Sequence, residues 1–291
     1  MNWRPLAARL EEHLRSIELR LTELLSSIPV KRVEREAGPF VLGVPEFQWQ
    51  IPSAAQRAQQ IAIKRDYDRL HELLRVILAG ATDDLHRDLQ SADSSFRRWL
   101  ELARNWSLTV DASRNIAQFS EDARALHQIV EVIAATSPHP VVVVPDTNSL
   151  MGHPDPIEYR NLAGQHDFIF ALLPTVLAEL DDLKVLHGNP PARELAKKAI
   201  RRIKGWREQG SLREGVTIDK TITVKAMHQE PDMDSTLTWL DSTVMDDRIV
   251  ASVLQLQAEW PGASIVLVTN DINLLNKADA AAIQATSFSE A

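Results

Sequence analysis

Cysteine is absent from all 291 residues, which removes disulfides, thiolate zinc sites and a cysteine nucleophile together. The absence fits a reducing compartment. Long apolar runs are missing as well. Residues 1–30 place Arg4, Arg9, Glu11, Glu12, Arg15, Glu18, Arg20 and Glu23 among the leucines, so no secretory signal core can be drawn there. No stretch approaches the roughly 20 apolar residues of a membrane helix, and the chain is read as cytoplasmic with no membrane partner. The motifs G-x-x-x-x-G-K-[ST], G-x-G-x-x-G and G-x-S-x-G do not occur, which leaves nucleotide-binding and serine-hydrolase readings without support. His153, His166, His187 and His228 are scattered, with no H-x-x-x-H spacing for a metal.

What is present is an ordinary soluble composition, 44% hydrophobic and 25% charged, in a chain long enough for two domains. Its core needs no covalent staple. The net charge of −8 argues against broad coating of nucleic acid. It leaves room for a nucleic-acid enzyme, because carboxylates loaded with a metal are locally far less negative than their formal count.

Two patterns divide the chain. Residues 1–137 read as an all-helical region, either a bundle or an interaction arm for a second copy or a protein partner. Leu10, Leu14, Ile17, Leu21 and Leu24 form a heptad-like stripe. Pro29, Gly38, Pro39, Gly43, Pro45 and Pro52 then mark residues 28–53 as loop or short extended pieces. Helical periodicity resumes with Ile61, Ile63, Tyr67, Leu70, Leu74 and Ile77. It recurs around Phe96, Trp99, Leu100 and Leu102, and again from Ile116 to Ile133; Trp99, Trp106 and Trp260 are read as packing residues. From 138 to 291 the pattern becomes α/β. Val141–Val144 and Phe168–Leu173 are runs suited to strands buried on both faces of a parallel sheet. Helices are expected after Pro174 and Thr175 to about His187, over 191–207, from Val244 to Leu256 and from Ile272 to Lys277. Further strands are expected at Ile222–Ala226, Ile265–Thr269 and Ile283–Phe288. Strands alternating with helices imply a parallel sheet with right-handed crossovers.

The acids of this half fall at the ends of those strands, where ligands of open parallel sheets sit. Asp146 follows the first strand after one proline, and Asp271 follows Ile265–Thr269 after Asn270. Glu179 lies on the first turns of the helix leaving the second strand, and Asp247 on the helix that opens near Val244. Each has a structural explanation when taken alone. Asp146 and Asp271 are good N-caps, Asp247 suits its helix dipole, and Glu179 can be a solvated helix residue. As a set they suit a hard divalent cation, which relieves the repulsion among crowded carboxylates and takes oxygen ligands. Metal-assisted hydrolysis of a phosphodiester is chemistry such a set can carry.

These residues resemble the PIN domain. Val141-Val-Val-Val-Pro-Asp146-Thr-Asn148 is similar to the family's opening strand with its Asp-Thr-Asn signature. Leu173-Pro-Thr-Val-Leu-Ala-Glu179, Met245-Asp246-Asp247-Arg-Ile-Val-Ala-Ser and Val266-Leu-Val-Thr269-Asn-Asp271 resemble the second, third and fourth motifs. The resemblance implies a three-layer α/β/α sandwich around a central parallel sheet, and Mg²⁺- or Mn²⁺-dependent cleavage of RNA, usually single-stranded. It implies Asp146, Glu179, Asp247 and Asp271 as catalytic metal ligands, with Asp246 able to share or replace the role of Asp247. Asn148 and Thr269 are the implied supporting polar groups. The helical half lies outside the resemblance. The distance between the second and third motifs is longer than in small PIN-domain toxins.

One concentrated basic surface stands out, on residues 191–207. Lys197, Lys198, Arg201 and Arg202 lie there beside Arg193, Lys204 and Arg207, and are read as contacts to an RNA backbone or as a solvated helix face paired with Glu194 and Glu208. The segment Gln229–Asp241, rich in acids, is expected to be a solvated loop able to move above the site. Two other functions compete with a nuclease. A catalytically silent PIN-like module would bind RNA or protein, whereas the four acids are intact. A haloacid-dehalogenase-like phosphatase also places an Asp after its first strand, but its Asp-x-Asp signature is Asp146-Thr-Asn148 here.

Overall fold

The computed structural model describes residues 3–33, 46–103, 108–135, 140–186 and 190–288. Trp106, His187, the glycines and prolines at 38–45 and the linker residues 137–139 lie outside the described residues. The chain divides into two compact units, Ala7–Ala134 and Ala135–Ala291, the latter joined by Met1–Leu6.

The first unit is helical, as its periodicity predicts. Helix α1 (Leu6–Ser27) buries the whole stripe Leu10, Leu14, Ile17, Leu21 and Leu24, so these residues are core within a single chain. The expected extended pieces are β1 (Val30–Val33) and β2 (Glu46–Trp49), which pair antiparallel. Helix α2 (Ala54–Ile77) opens with a capping box in which Ser53 and Gln56 satisfy each other's backbone N–H groups. Its core face is Ile63, Tyr67, Leu70, Leu74 and Ile77, while Ile61 is 60% exposed. Residues two apart on a helix point about 200° away from each other, so Ile61 and Ile63 cannot share a face. Helices α3 (Asp83–Leu100) and α4 (Ala112–Ala134) close the unit through an aromatic cluster. There Tyr67 stacks on Phe96 at 4.4 Å, and Phe119 meets Phe96 and Trp99. Leu102, expected to extend α3, has φ 50° and lies beyond its end.

The second unit is an α/β/α sandwich. In chain order it contains β3 (Val141–Pro145), α5 (Thr147–Gly152), a 3-10 turn (Pro156–Tyr159), α6 (Arg160–Ala163), β4 (Phe168–Leu172) and α7 (Pro174–Leu186). Then come α8 (Pro190–Arg207), β5 (Val216–Ile218), β6 (Ile222–Ala226), α9 (Met245–Glu259), β7 (Ser264–Val268), α10 (Ile272–Ala280) and β8 (Gln284–Thr286). The strand order is β5-β6-β4-β3-β7-β8. All neighbours are parallel except β5, which runs antiparallel to β6 and makes the sheet mixed. Asp219 and Lys220 turn this hairpin with φ of 46° and 64°. Ahead of it Gly215 has φ +113°, and a Cβ there would stand 2.8 Å from Thr223 Cγ2.

From β3 the chain proceeds outward through β4 to β6, then returns to the other side of β3 for β7 and β8. The carboxyl ends of β3 and β7 therefore flank the topological switch point of the sheet. The amino-terminal residues belong to this unit: the Trp3 indole N–H donates to the Leu162 carbonyl at 2.6 Å, and the Gln284 side chain makes two hydrogen bonds with the Arg4 backbone. No helix among the described residues is long and apolar enough to cross a membrane.

Candidate active site

Asp146 and Asp271 stand at the switch point, tied together by one threonine. Parallel register sets Pro145 against Val268, so Asp146 and Thr269 leave their strands side by side. The Thr269 hydroxyl donates to Asp146 Oδ2 at 2.6 Å and accepts the Asp271 backbone N–H at 3.0 Å. Thr269 is fully buried and Asp146 only 3% exposed, so this link is made away from water.

Both aspartates are also helix caps. Asp146 Oδ1 accepts the Ser149 N–H at 2.7 Å, opening α5, and Asp271 Oδ1 accepts the N–H groups of Asn273 and Leu274, opening α10. The capping and ligand explanations are compatible: the Asp146 oxygen not used for capping accepts from Thr269 and keeps a further lone pair. In Asp271 that second oxygen has no partner among the described residues.

Glu179, on α7, accepts a hydrogen bond from the Thr147 hydroxyl through Oε2. Thr147 follows Asp146 directly, so the first and second motifs meet here. Asn148, expected to support the acids, is exposed and makes no side-chain hydrogen bond among the described residues. The supporting hydroxyl in the Asp-Thr-Asn segment belongs instead to Thr147. Its signal in the sequence is a short hydroxyl side chain on the turn that Asp146 caps.

The third motif is occupied differently. Asp247 is 6% exposed; its Oδ2 accepts the Asp241 backbone N–H at 2.9 Å, and its Oδ1 meets the Lys277 ammonium at 2.7 Å. Asp246 is more open and touches the same ammonium at 3.4 Å. Burial works against the charge on Lys277, but hydrogen bonding to Asp247 and the charges of both aspartates outweigh it and hold the lysine above its usual pKa. The acid-rich segment over this corner is solvated as expected, with Glu230, Asp232, Asp234 and Asp241 exposed, and it is also tied to its neighbours by contacts. Glu230 Oε2 accepts from Thr175 at 3.0 Å and pairs with Arg248 at 2.7 Å, Leu237 is buried, and Asp241 holds Asp247.

The donor set is all hard oxygen, which suits Mg²⁺ or Mn²⁺ and no soft metal. Among the described residues no three acidic or histidine side chains gather closely enough to enclose an ion. Magnesium typically takes only one or two carboxylates and keeps several waters, so the donors fit such an ion without a complete protein cage. Glu179 Oε1 and Asp271 Oδ2 have no partner among the described residues and are open to one, as is Asp246 Oδ1 at the third motif.

Helix α8 packs against α5, the helix that Asp146 caps. Lys198, Arg201 and Arg202 line an open groove with Pro154, Asp155 and Glu158. Arg202 pairs with Asp155 at 2.6 Å and lies 5.8 Å over the Trp206 ring, while Lys197 pairs with Glu194 at 2.7 Å. Lys198 and Arg201 have no acidic partner within ion-pair distance among the described residues.

No curated protein matches the chain. A family model does, over residues 143–289, a span that opens within β3 and contains all four acids. The description of that model is the PIN domain, and on this match, half the chain carried on the sheet and switch-point site just described, the protein belongs to the PIN domain family.

Proposed function

We propose that the second unit is a divalent-metal-dependent endoribonuclease acting on single-stranded RNA. The observation that carries this reading is the Asp146–Thr269–Asp271 link at the switch point of a PIN-family sheet. Bound Mg²⁺ or Mn²⁺ would supply an acidified water and a clamp on the scissile phosphate. The chain's own groups do the positioning. Thr269 orients Asp146 and fixes the turn that presents Asp271. Thr147 orients Glu179 so that one carboxylate oxygen stays open. Lys198 and Arg201, with no acidic partner in the groove beside α5, would contact substrate phosphates and supply affinity and register without sequence choice.

One observation favours a second reading, a silent nucleic-acid- or protein-binding module: the acids do not enclose an ion, and Asp247 is already neutralised by Lys277. A single assay separates the two. The full chain is incubated with Mn²⁺ and single-stranded RNA, duplex DNA or a phosphomonoester. The expected result is cleavage of single-stranded RNA that chelator and Asp146→Asn both abolish. Intact RNA at saturating Mn²⁺, with RNA still bound, would establish the silent module instead. Turnover of the phosphomonoester alone would remove both.

A further inference from the structure

A cation that belongs to the chain itself reaches the third motif. Lys277 lies on α10, the helix capped by Asp271, and its ammonium reaches across to two consecutive acids at the start of α9. It stands 2.7 Å from Asp247 Oδ1 and 3.4 Å from Asp246 Oδ2. With Asp247 Oδ2 accepting the Asp241 backbone N–H, both oxygens of this buried carboxylate are already engaged. Glu179 and Asp271 differ, since each keeps an oxygen without a partner among the described residues. Asp247 is thus filled from within the protein, Asp246 is held through one oxygen, and Asp146 already accepts from Ser149 and Thr269, which leaves Glu179 and Asp271 to offer an unpartnered oxygen on the other side of the site.

A buried carboxylate must be compensated, and a close ion pair with an ammonium does so. The tethered lysine has a second advantage over Mg²⁺, which gives up its waters reluctantly. A divalent ion entering at Asp247 would have to break this ion pair and would then meet a like charge nearby. We propose that Lys277 takes the cation position that Asp246 and Asp247 would otherwise offer to a divalent ion, so that the PIN unit binds one such ion, on the side of Asp146, Glu179 and Asp271. This rests on the metal-dependent reading above. It makes Asp247 the anchor of a fixed positive charge, and Lys277 a positioning residue that faces the site.

The test is Mn²⁺ stoichiometry by isothermal titration of the full chain, with thermal melts as a check on folding. Lys277→Met preserves side-chain length and helix propensity. Lys277→Gln serves as a second variant should methionine disturb packing. The expected stoichiometry is one ion for the parent, two for either variant, and one again for Lys277→Met combined with Asp247→Asn. Two ions in the parent, or one ion at unchanged affinity in both Lys277 variants, would overturn the proposal, because a lysine that only staples α9 to α10 would shift melting without altering the ion count. Its failure is distinguishable from failure of the nuclease reading. A parent that binds no ion while Lys277→Met gains one upholds the lysine position and removes the open site; no binding by any form removes both.

Discussion

Replacing Thr269 with valine tests the site at its central link. The two side chains are nearly the same size, so the buried volume is kept while the hydroxyl is lost. Two hydrogen bonds go with it: the donor to Asp146 Oδ2 at 2.6 Å and the acceptor for the Asp271 N–H at 3.0 Å. A hydrogen bond to a charged group contributes about 1.5–3 kcal/mol and a neutral one about 0.5–1.5, so Thr269→Val should cost about 2–4.5 kcal/mol. At about 2–4 °C per kcal/mol for a unit of this size, melting of the second unit should fall by about 4–18 °C. Because the chain has two compact units, a whole-chain melt can merge two transitions, and amide hydrogen exchange of the second unit is the cleaner assay. The Asp271 amide should lose protection selectively, and Thr269→Ser should retain it. Thr269→Val with melting within about 2 °C of the parent, and an Asp271 amide still protected, would refute the link as a significant interaction.

The other expectations follow from single contacts. Asp146→Asn keeps the cap but removes the charge that the Thr269 hydroxyl bonds, so it should cost no more than about 1.5–3 kcal/mol and leave the unit folded, yet abolish cleavage; unfolding of the unit with unchanged activity per folded molecule would reduce Asp146 to a cap. Replacing Lys197, Lys198, Arg201 and Arg202 together with glutamine should weaken RNA binding and flatten the dependence of log K on log salt by about 0.7 for each phosphate no longer neutralised. An unchanged slope in filter binding would take α8 off the substrate path. In the helical unit, His127 places its two ring nitrogens 2.9 Å from Glu11 and Glu18. Burial opposes the imidazolium, but hydrogen bonds and charge from both glutamates outweigh it and raise the pKa of His127, and Glu11 is correspondingly lowered against its own burial. A raised histidine stabilises the fold below its unfolded value of 6.5 and loses that contribution as pH rises through the folded value. A lowered glutamate stabilises above its unfolded value of 4.5 and loses that contribution as pH falls through the folded value. The helical unit should therefore melt highest between these limits and lower at alkaline pH, with His127→Gln flattening the alkaline decline in circular dichroism melts.

Features set by local pattern are legible in the residues themselves. Val141–Val144 and Phe168–Leu173 announce buried parallel strands because both faces of such strands need apolar side chains, and the structure places β3 and β4 there. Strand β5 is only three residues long, and its turn uses Asp219 and Lys220 at positive φ, where an Asn-Gly pair would have given a signal. Helices α5 and α6 are too short to show periodicity, and α5 exists as a turn capped by Asp146. The acid-rich segment 229–241 is solvated, as its composition indicates, and it also makes contacts that composition does not reveal. Thr175 and Arg248, which hold Glu230, are distant from it in sequence or belong to the following helix. No composition argument can see those partners.

The same distinction runs through the site. Asp146 and Asp271 are legible because their positions after strands coincide with the motif, and the structure adds the hydroxyl that joins them. Lys277 is not, since in sequence it is one more cation near a helix C-terminus, where the dipole alone explains it. Its meaning comes from α9 packing beside α10, which brings the Asp246–Asp247 pair under its ammonium. Asp247 reads as a metal ligand from its motif, and its surroundings show how much a motif leaves open. The motif specifies which residue carries a carboxylate at that corner, but packing decides which cation the carboxylate holds. Where a lysine can reach, the acid is neutralised without any ion from solution, and on the proposed metal-dependent reading an ion would be left to the acids on the other side of the site.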